Sequence, residues 1–110
     1  MKRFDDVSPL SRQDAEDALA SRSSAVVCRA LIAIALHEPD WLWAQDRCLE
    51  ELSNADPDIR GLAATCLGHV ARVHRNLEKA RAVAALTPLL ADPEVAGRVE
   101  DALDDIAAFA

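Results

Sequence analysis

The stretch from Leu49 to Ala71, LEELSNADPDIRGLAATCLGHVA, decides the fold. Asp56 followed by Pro57 is a helix start: the carboxylate accepts from an unpaired amide of the first turn, and proline fits the first helical position because it has no amide to lose. From there Ile59, Leu62, Ala63, Cys66, Leu67, Val70 and Val73 recur at helical spacing, which gathers them into one broad apolar stripe facing the preceding helix. On the opposite side stand Gly61, Ala64, Gly68 and Ala71. A solvent face would carry Lys and Glu, whereas a stripe of small residues lets another helix come close. The segment therefore reads as a central helix, covered on both sides.

Working outward, Asp56-Pro57-Asp58-Ile59 returns as Asp92-Pro93-Glu94-Val95, an offset of 36 (92 minus 56). Ala63, Cys66, Leu67 and Val70 then match Val99, Ala102, Leu103 and Ile106, and one step back they match Val27, Ala30, Leu31 and Ile34. The partner helices align at 37, with Leu49 and Leu52 answering Leu86 and Leu89. A period of this length built from two helices is that of an α-solenoid, in which each hairpin buries its face on the next. Breaks at Ser21 to Ser24, Glu38-Pro39-Asp40, Ala55-Asp56-Pro57, Asn76 and Asp92-Pro93 predict six helices, at about 9–20, 24–37, 40–54, 57–75, 77–91 and 93–109. The fold class expected is all-α, with antiparallel hairpins in roughly three repeats and one domain over 1–110.

The repeat also locates a candidate surface. The small positions of the central copy correspond to Ala25, Cys28, Ile32 and Ala35 in the first and to Gly97, Glu100, Asp104 and Ala107 in the last. With Asp101 and Asp105 one position on, four carboxylates are expected along one ridge where no further repeat follows. Two readings stand: a polar cap that keeps the solenoid soluble, or a docking face for a partner. A second candidate is Trp43 in the run Asp40 to Leu52, which the helical wheel sets away from the inner residues Trp41, Cys48, Leu49 and Leu52 and beside Asp46, Arg47 and Glu50. One of the two tryptophans is expected to be exposed, as an interface anchor or over the turn at 37–40.

A net charge of −7 argues against binding nucleic acid, which needs clustered Lys and Arg. The charge is patchy: residues 38–58 hold seven acids and one base, residues 92–110 six acids and one base, and residues 69–81 four bases and one acid. That basic run, His69 to Ala82, suits a helix C-terminus, or a patch that binds phosphate or an acidic partner. No apolar run reaches the length of a membrane span and the start MKRFDDVSPL lacks a signal-peptide core, so a cytoplasmic protein is expected. Cys28, Cys48 and Cys66, odd in number and without a CxxC pair, read as small hydrophobes in a reducing compartment. His37, His69 and His74 are too dispersed for a zinc site, which takes three or four ligands. Asp101 and Asp105 share one convex helix and so do not face each other across a cleft as a hydrolytic pair must. No nucleophile elbow, phosphate loop or dinucleotide motif occurs, so neither catalysis, metal nor cofactor is expected.

The stretch Leu49 to Ala71 resembles a HEAT repeat, with its leucine-rich first helix, Asp-Pro turn, Ile59-Arg60 pair and Ala/Leu-rich second helix. The chain from about 40 to 106 further resembles small HEAT-like immunity proteins of bacterial contact-dependent growth-inhibition and polymorphic toxin systems. The pieces that carry this are Trp41, Trp43, Ala44 and Gln45, the run His69 to Arg75, and Gly97 to Ile106. The resemblance implies a non-catalytic protein, a monomer or weak dimer, that binds a cognate toxin domain. The physics is compatible, because a nuclease toxin is basic and an acidic inhibitor is steered towards it. Trp43, Arg47, Glu50, Glu100, Asp101, Asp104 and Asp105 are the partner-binding residues expected on this reading. The alternative is a scaffold or adaptor whose second helices hold a partner peptide. A helical-repeat enzyme acting on DNA would need a basic concave surface, which the charge disfavours.

Overall fold

The computed structural model describes residues 7–110; Met1 to Asp6, part of the start MKRFDDVSPL, lie outside the described residues. The first four helices begin where a side chain supplies the missing acceptor. Ser11 caps α1 (Arg12–Leu19), Ser23 caps α2 (Ser24–His37), Asp40 caps α3 (Trp41–Glu51) and Asp56 caps α4 (Pro57–His74). α5 (Lys79–Leu86) and α6 (Ala96–Phe109) start without a side-chain cap. α4 ends at Arg75, held in the left-handed conformation at φ 53°, ψ 31° with its amide bonded to the Ala71 carbonyl at 2.9 Å. Its guanidinium lies 5.0 Å from the centre of the Phe109 ring, tying the end of α4 to the end of α6.

Among the described residues the α-helices number six, as expected; α1 starts three residues later and α3 ends three earlier than expected, and two further boundaries move for identifiable reasons. The fifth, predicted to run unbroken over 77–91, is an α-helix only to Leu86 and continues as a 3-10 segment, Thr87–Ala91. Pro88 has no amide for the α-helical bond and its ring crowds the preceding turn, so the chain tightens there. The sixth begins at Ala96 rather than 93. Asp92 makes the same two bonds as Asp56: its carboxylate accepts from the amide two residues on (Glu94, 3.0 Å; Asp58, 2.9 Å) and its carbonyl from the amide four on (Ala96, 2.9 Å; Arg60, 3.0 Å). Val95, however, sits at φ −129°, ψ −6°, so the turn closes before the helix starts and Pro93 falls outside it.

The helices form three hairpins, α1/α2, α3/α4 and α5/α6, whose second members lie side by side: α2 packs on α4 and α4 on α6. Arg12 at the start of α1 reaches Glu38 at the end of α2 at 2.8 Å, as an antiparallel pair requires. Of the twelve residues aligned by the repeat, all are buried except Leu103, which is half-buried. α4 is central: Gly61, Ala64, Gly68 and Ala71 are buried along with the apolar stripe. Val73 is the exception, 48% exposed, in the last turn beyond the final buried position Ala71.

The small stripe of α4 is where α6 lies. A methyl group placed on Gly61 would stand 2.9 Å from Cδ of Arg98, and one on Gly68 would stand 2.9 Å from Asp105 Oδ2, 3.3 Å from Asp105 Cβ and 3.5 Å from the Ala102 backbone. The pairs 61/98 and 68/105 share one separation, 37, so α4 and α6 run parallel, in a register one residue beyond the 36-residue offset that aligns their sequences. The starts of α4 and α6 are also linked: Arg60 pairs with Asp92 at 2.9 Å.

Two glycine substitutions test this register by opposite signs. Gly68→Val drives two methyl groups into Asp105 and the α6 backbone and is expected to lower stability by roughly 2 kcal/mol. Gly97→Ala, in the corresponding stripe of α6 with nothing within 4 Å, is expected to raise it by roughly 0.5–1 kcal/mol through helix propensity. Urea unfolding followed by circular dichroism reads both, and equal costs at the two sites contradict the packing described.

Candidate functional site

The stripe that meets a neighbour in the earlier copies is graded along the stack. In α2, Ala35 is buried and Cys28 and Ile32 partly so, while Ala25 is exposed and lines a groove with α1. In α4 the stripe is wholly buried. In α6, Gly97, Glu100, Asp104 and Ala107 are all exposed, and no helix covers them among the described residues. Asp101 is exposed as well. Asp105 departs from the expected ridge: it is half-buried, turned towards α4 with its carboxylate against Gly68. The open face thus carries Glu100, Asp101 and Asp104. None of the three joins any of the ion pairs found among the described residues, so their field points outward uncompensated.

Asp105 faces a histidine. His69 is 7% exposed, bonded through Nδ1 to the guanidinium of Arg72. Burial first, then the Arg72 charge, push its pKa below the ordinary 6.5, with Asp105 opposing them.

The second candidate group is built differently from the expectation. The buried face of α3 is Ala44, Gln45, Cys48 and Leu52, and Trp41 and Leu49 are only partly buried. Neither tryptophan is exposed: Trp43 is half-covered, with the Arg12 guanidinium 4.4 Å from its ring centre and that of Arg47 at 6.0 Å. Arg12 comes from α1, which the wheel of α3 alone could not reveal. Arg47 also pairs with Glu50 on the outer side. Trp43, Arg47 and Glu50 therefore form one cluster, and Glu100, Asp101 and Asp104 another on a different element. The structure does not join them, because α3 and α6 each pack on α4 from their own hairpin.

A buried polar bridge escaped the sequence reading. Gln45, 0% exposed, donates through Nε2 to Glu78 Oε1 and accepts the Glu78 amide through Oε1, both at 2.7 Å, which fixes the start of α5 on α3. Arg81 closes the cluster on Asp46 at 2.7 Å and Glu78 at 3.0 Å. The Gln45 bond first, then Arg81, hold the Glu78 carboxyl below the usual carboxylate range. Arg72, Arg75 and Arg81 are thus engaged within the fold, which favours the helix-end reading of the basic run. A Gln one position from an apolar face residue, Ala44, was the available signal.

A groove of about 420 Å³ between α1 and α2 is lined by Leu10, Ala18, Ala25, Val26, Arg29 and Ala30. It offers a single cation and no acid–base pair. Among the described residues no group of three or more His, Cys, Asp or Glu is placed to hold a metal ion, and no helix is long and apolar enough to cross a membrane.

Fold and site together define a small all-α protein of stacked hairpins with one unpaired acidic end face. No protein-family model and no curated protein matches the chain. Among solved structures, 99% of the chain matches 98% of a chain in the crystal structure of a CDI complex from Cupriavidus taiwanensis LMG 19424, with a TM-score of 0.86 and 33% sequence identity. The chain belongs to the same family as that protein, small all-α chains of the CDI type that its sequence resembles.

The His69 environment fixes a pH dependence. Because its folded pKa lies below the unfolded value, the unfolded chain binds more protons between the two. Its contribution is therefore complete above about pH 6.5 and is lost as pH falls through the depressed value, by at most about 1.4 kcal/mol per pH unit. Urea midpoints between about pH 7.5 and 5.5 are expected to fall for the wild type and to flatten for His69→Gln. An unchanged slope in the variant excludes His69 as the source.

Proposed function

We propose that this chain is a non-catalytic immunity protein that binds and neutralises a cognate toxin domain, and that it docks through the outer face of α6. The observation that carries the proposal is the whole-length likeness to a chain of a CDI complex, which agrees with the resemblance of the sequence to immunity proteins of contact-dependent growth-inhibition systems. The uncovered face of α6 supports the choice of surface: Glu100, Asp101 and Asp104 stand exposed and unpaired on a helix whose equivalents are occupied by neighbours. Asp105 supports it from the edge, and Trp43, Arg47 and Glu50 form a separate flank, already held by contacts within the chain.

A basic, nuclease-type toxin fits this face by charge. Steered association follows from the outward field, and an acidic helix held over a basic cleft competes with the phosphates the cleft would take. The protein acts in this account as one domain, in the cytoplasm, as a monomer or weak dimer without nucleic acid, membrane or cofactor.

Reversing Glu100, Asp101 and Asp104 together to Lys is expected to weaken binding to the toxin encoded beside this gene by on the order of a hundredfold, mainly through slower association, with helicity unchanged. Binding of the parent protein is expected to weaken as salt is raised. Calorimetry and a toxin activity assay check both. Undiminished affinity of the triple variant removes α6 as the docking face, and a gene with no adjacent toxin favours the adaptor reading.

A further inference from the structure

The two ends of the stack differ in chemistry. Val26 and Ala30 stand two periods, 72 residues (98 minus 26), before Arg98 and Ala102, the residues with which α6 lies on α4. They mark the side of α2 that would rest on a preceding second helix, and none precedes α2 among the described residues. Their equivalents in α4, Leu62 and Cys66, are buried, whereas Val26 is 43% exposed. α1 closes only part of this side: with Leu10, its Ala18 forms the second wall of the groove of about 420 Å³. Two large hydrophobic side chains left exposed, Leu10 and Val26, thereby share one concavity. Five of its six lining residues are aliphatic, and the sixth is Arg29. Arg12, Arg47, Arg60 and Arg81 all join ion pairs; Arg29 is exposed and joins none of those found among the described residues. Asp14, Glu16 and Asp17 of α1 are exposed as well, yet none lines the groove.

We propose that this groove is a binding site for a single-chain amphiphile with a carboxylate head, of the medium-chain fatty-acid class. The alkyl chain lies against Leu10, Ala18, Ala25 and Val26 over Ala30, and the Arg29 guanidinium takes the carboxylate in a forked pair of N–H bonds. Size favours such a ligand, because small-molecule sites run from roughly 300 to 1,000 Å³. Six lining residues are far short of the roughly 20–30 that a stable protein interface takes from each side. Charge favours it too: one guanidinium balances one carboxylate, where a phosphate dianion would be left half paired. The site shares no residue with the acidic face of α6, so it stands whether or not a toxin docks there.

The test titrates the isotope-labelled full-length protein with hexanoate, octanoate and decanoate below their micellar concentrations and follows amide NMR shifts. Saturable shifts are expected at Leu10, Ala18 and 25–30, with affinity rising roughly threefold per added methylene until the groove is filled. On the wild type, 1-octanol and octyltrimethylammonium are expected to bind at least about tenfold more weakly than octanoate. Arg29→Gln is expected to weaken octanoate by about tenfold and Lys79→Gln, an exposed lysine outside the groove, to leave it unchanged. Ala25→Leu, at an exposed position in the first turn of α2, is expected to fill part of the groove and exclude decanoate. Circular dichroism separates a lost site from a lost fold, and the wild-type ligand series decides the matter independently. No saturable shift, shifts centred outside the groove, equal binding of the alcohol or the cation, an equal loss in Lys79→Gln, or groove signals that move with protein concentration alone, the mark of a second copy seated there, overturns the proposal.

Discussion

α6 comes to rest on α4 only because Gly61 and Gly68 present no side chain where Arg98, Ala102 and Asp105 must pass. Everything distinctive in the molecule follows from that close approach. It sets the parallel register of the second helices, buries the small stripe of α4 and turns Asp105 towards Gly68. It also spends the mating side of α6 on α4, so that the other side, with Gly97, Glu100, Asp104 and Ala107, points away from the stack. An end face of this kind is a consequence of stacking by repetition: the surface that would receive another hairpin exists whether or not one arrives.

The chemistry of that end face differs from its equivalents in one respect. Ala64 and Gly68 in α4 have become Glu100 and Asp104 in α6, replacing residues that admit a helix with residues that repel an apolar one. Acids with no internal partner carry little stability of their own. On the proposed reading they disfavour stacking on a second copy of the chain and suit a partner rich in Lys and Arg. The arginines of the basic run are occupied elsewhere, Arg72 with His69, Arg75 with Phe109, and Arg81 with Asp46 and Glu78.

Much of this was legible in the sequence because it rests on period. The six helices, the buried positions Ala63, Cys66 and Val70 with their equivalents, and the small stripe of α4 all repeat at fixed spacing, and the fold honours it. What could not be read depends on contacts between elements that no local pattern encodes. Trp43 looked free on the wheel of α3, yet Arg12 arrives from α1 to cover it. Gln45 looked unremarkable until α5 delivered Glu78 to it. Asp105 belonged with its neighbours by sequence, but one further step around the helix was enough to carry it to the α4 side. Pro88 is visible as a residue, but the helical periodicity continues across it and conceals the break into a 3-10 segment.

The claim on which the account depends is that the outer face of α6 is the face a partner covers. Hydrogen exchange of the free chain against the chain bound to its toxin measures this without altering a residue. The account predicts that new protection concentrates in 96–109, strongest around Glu100 to Asp104, with α1 and α2 unchanged. Protection confined to the α1/α2 groove or to the exposed side of α3, with α6 exchanging as in the free protein, contradicts it.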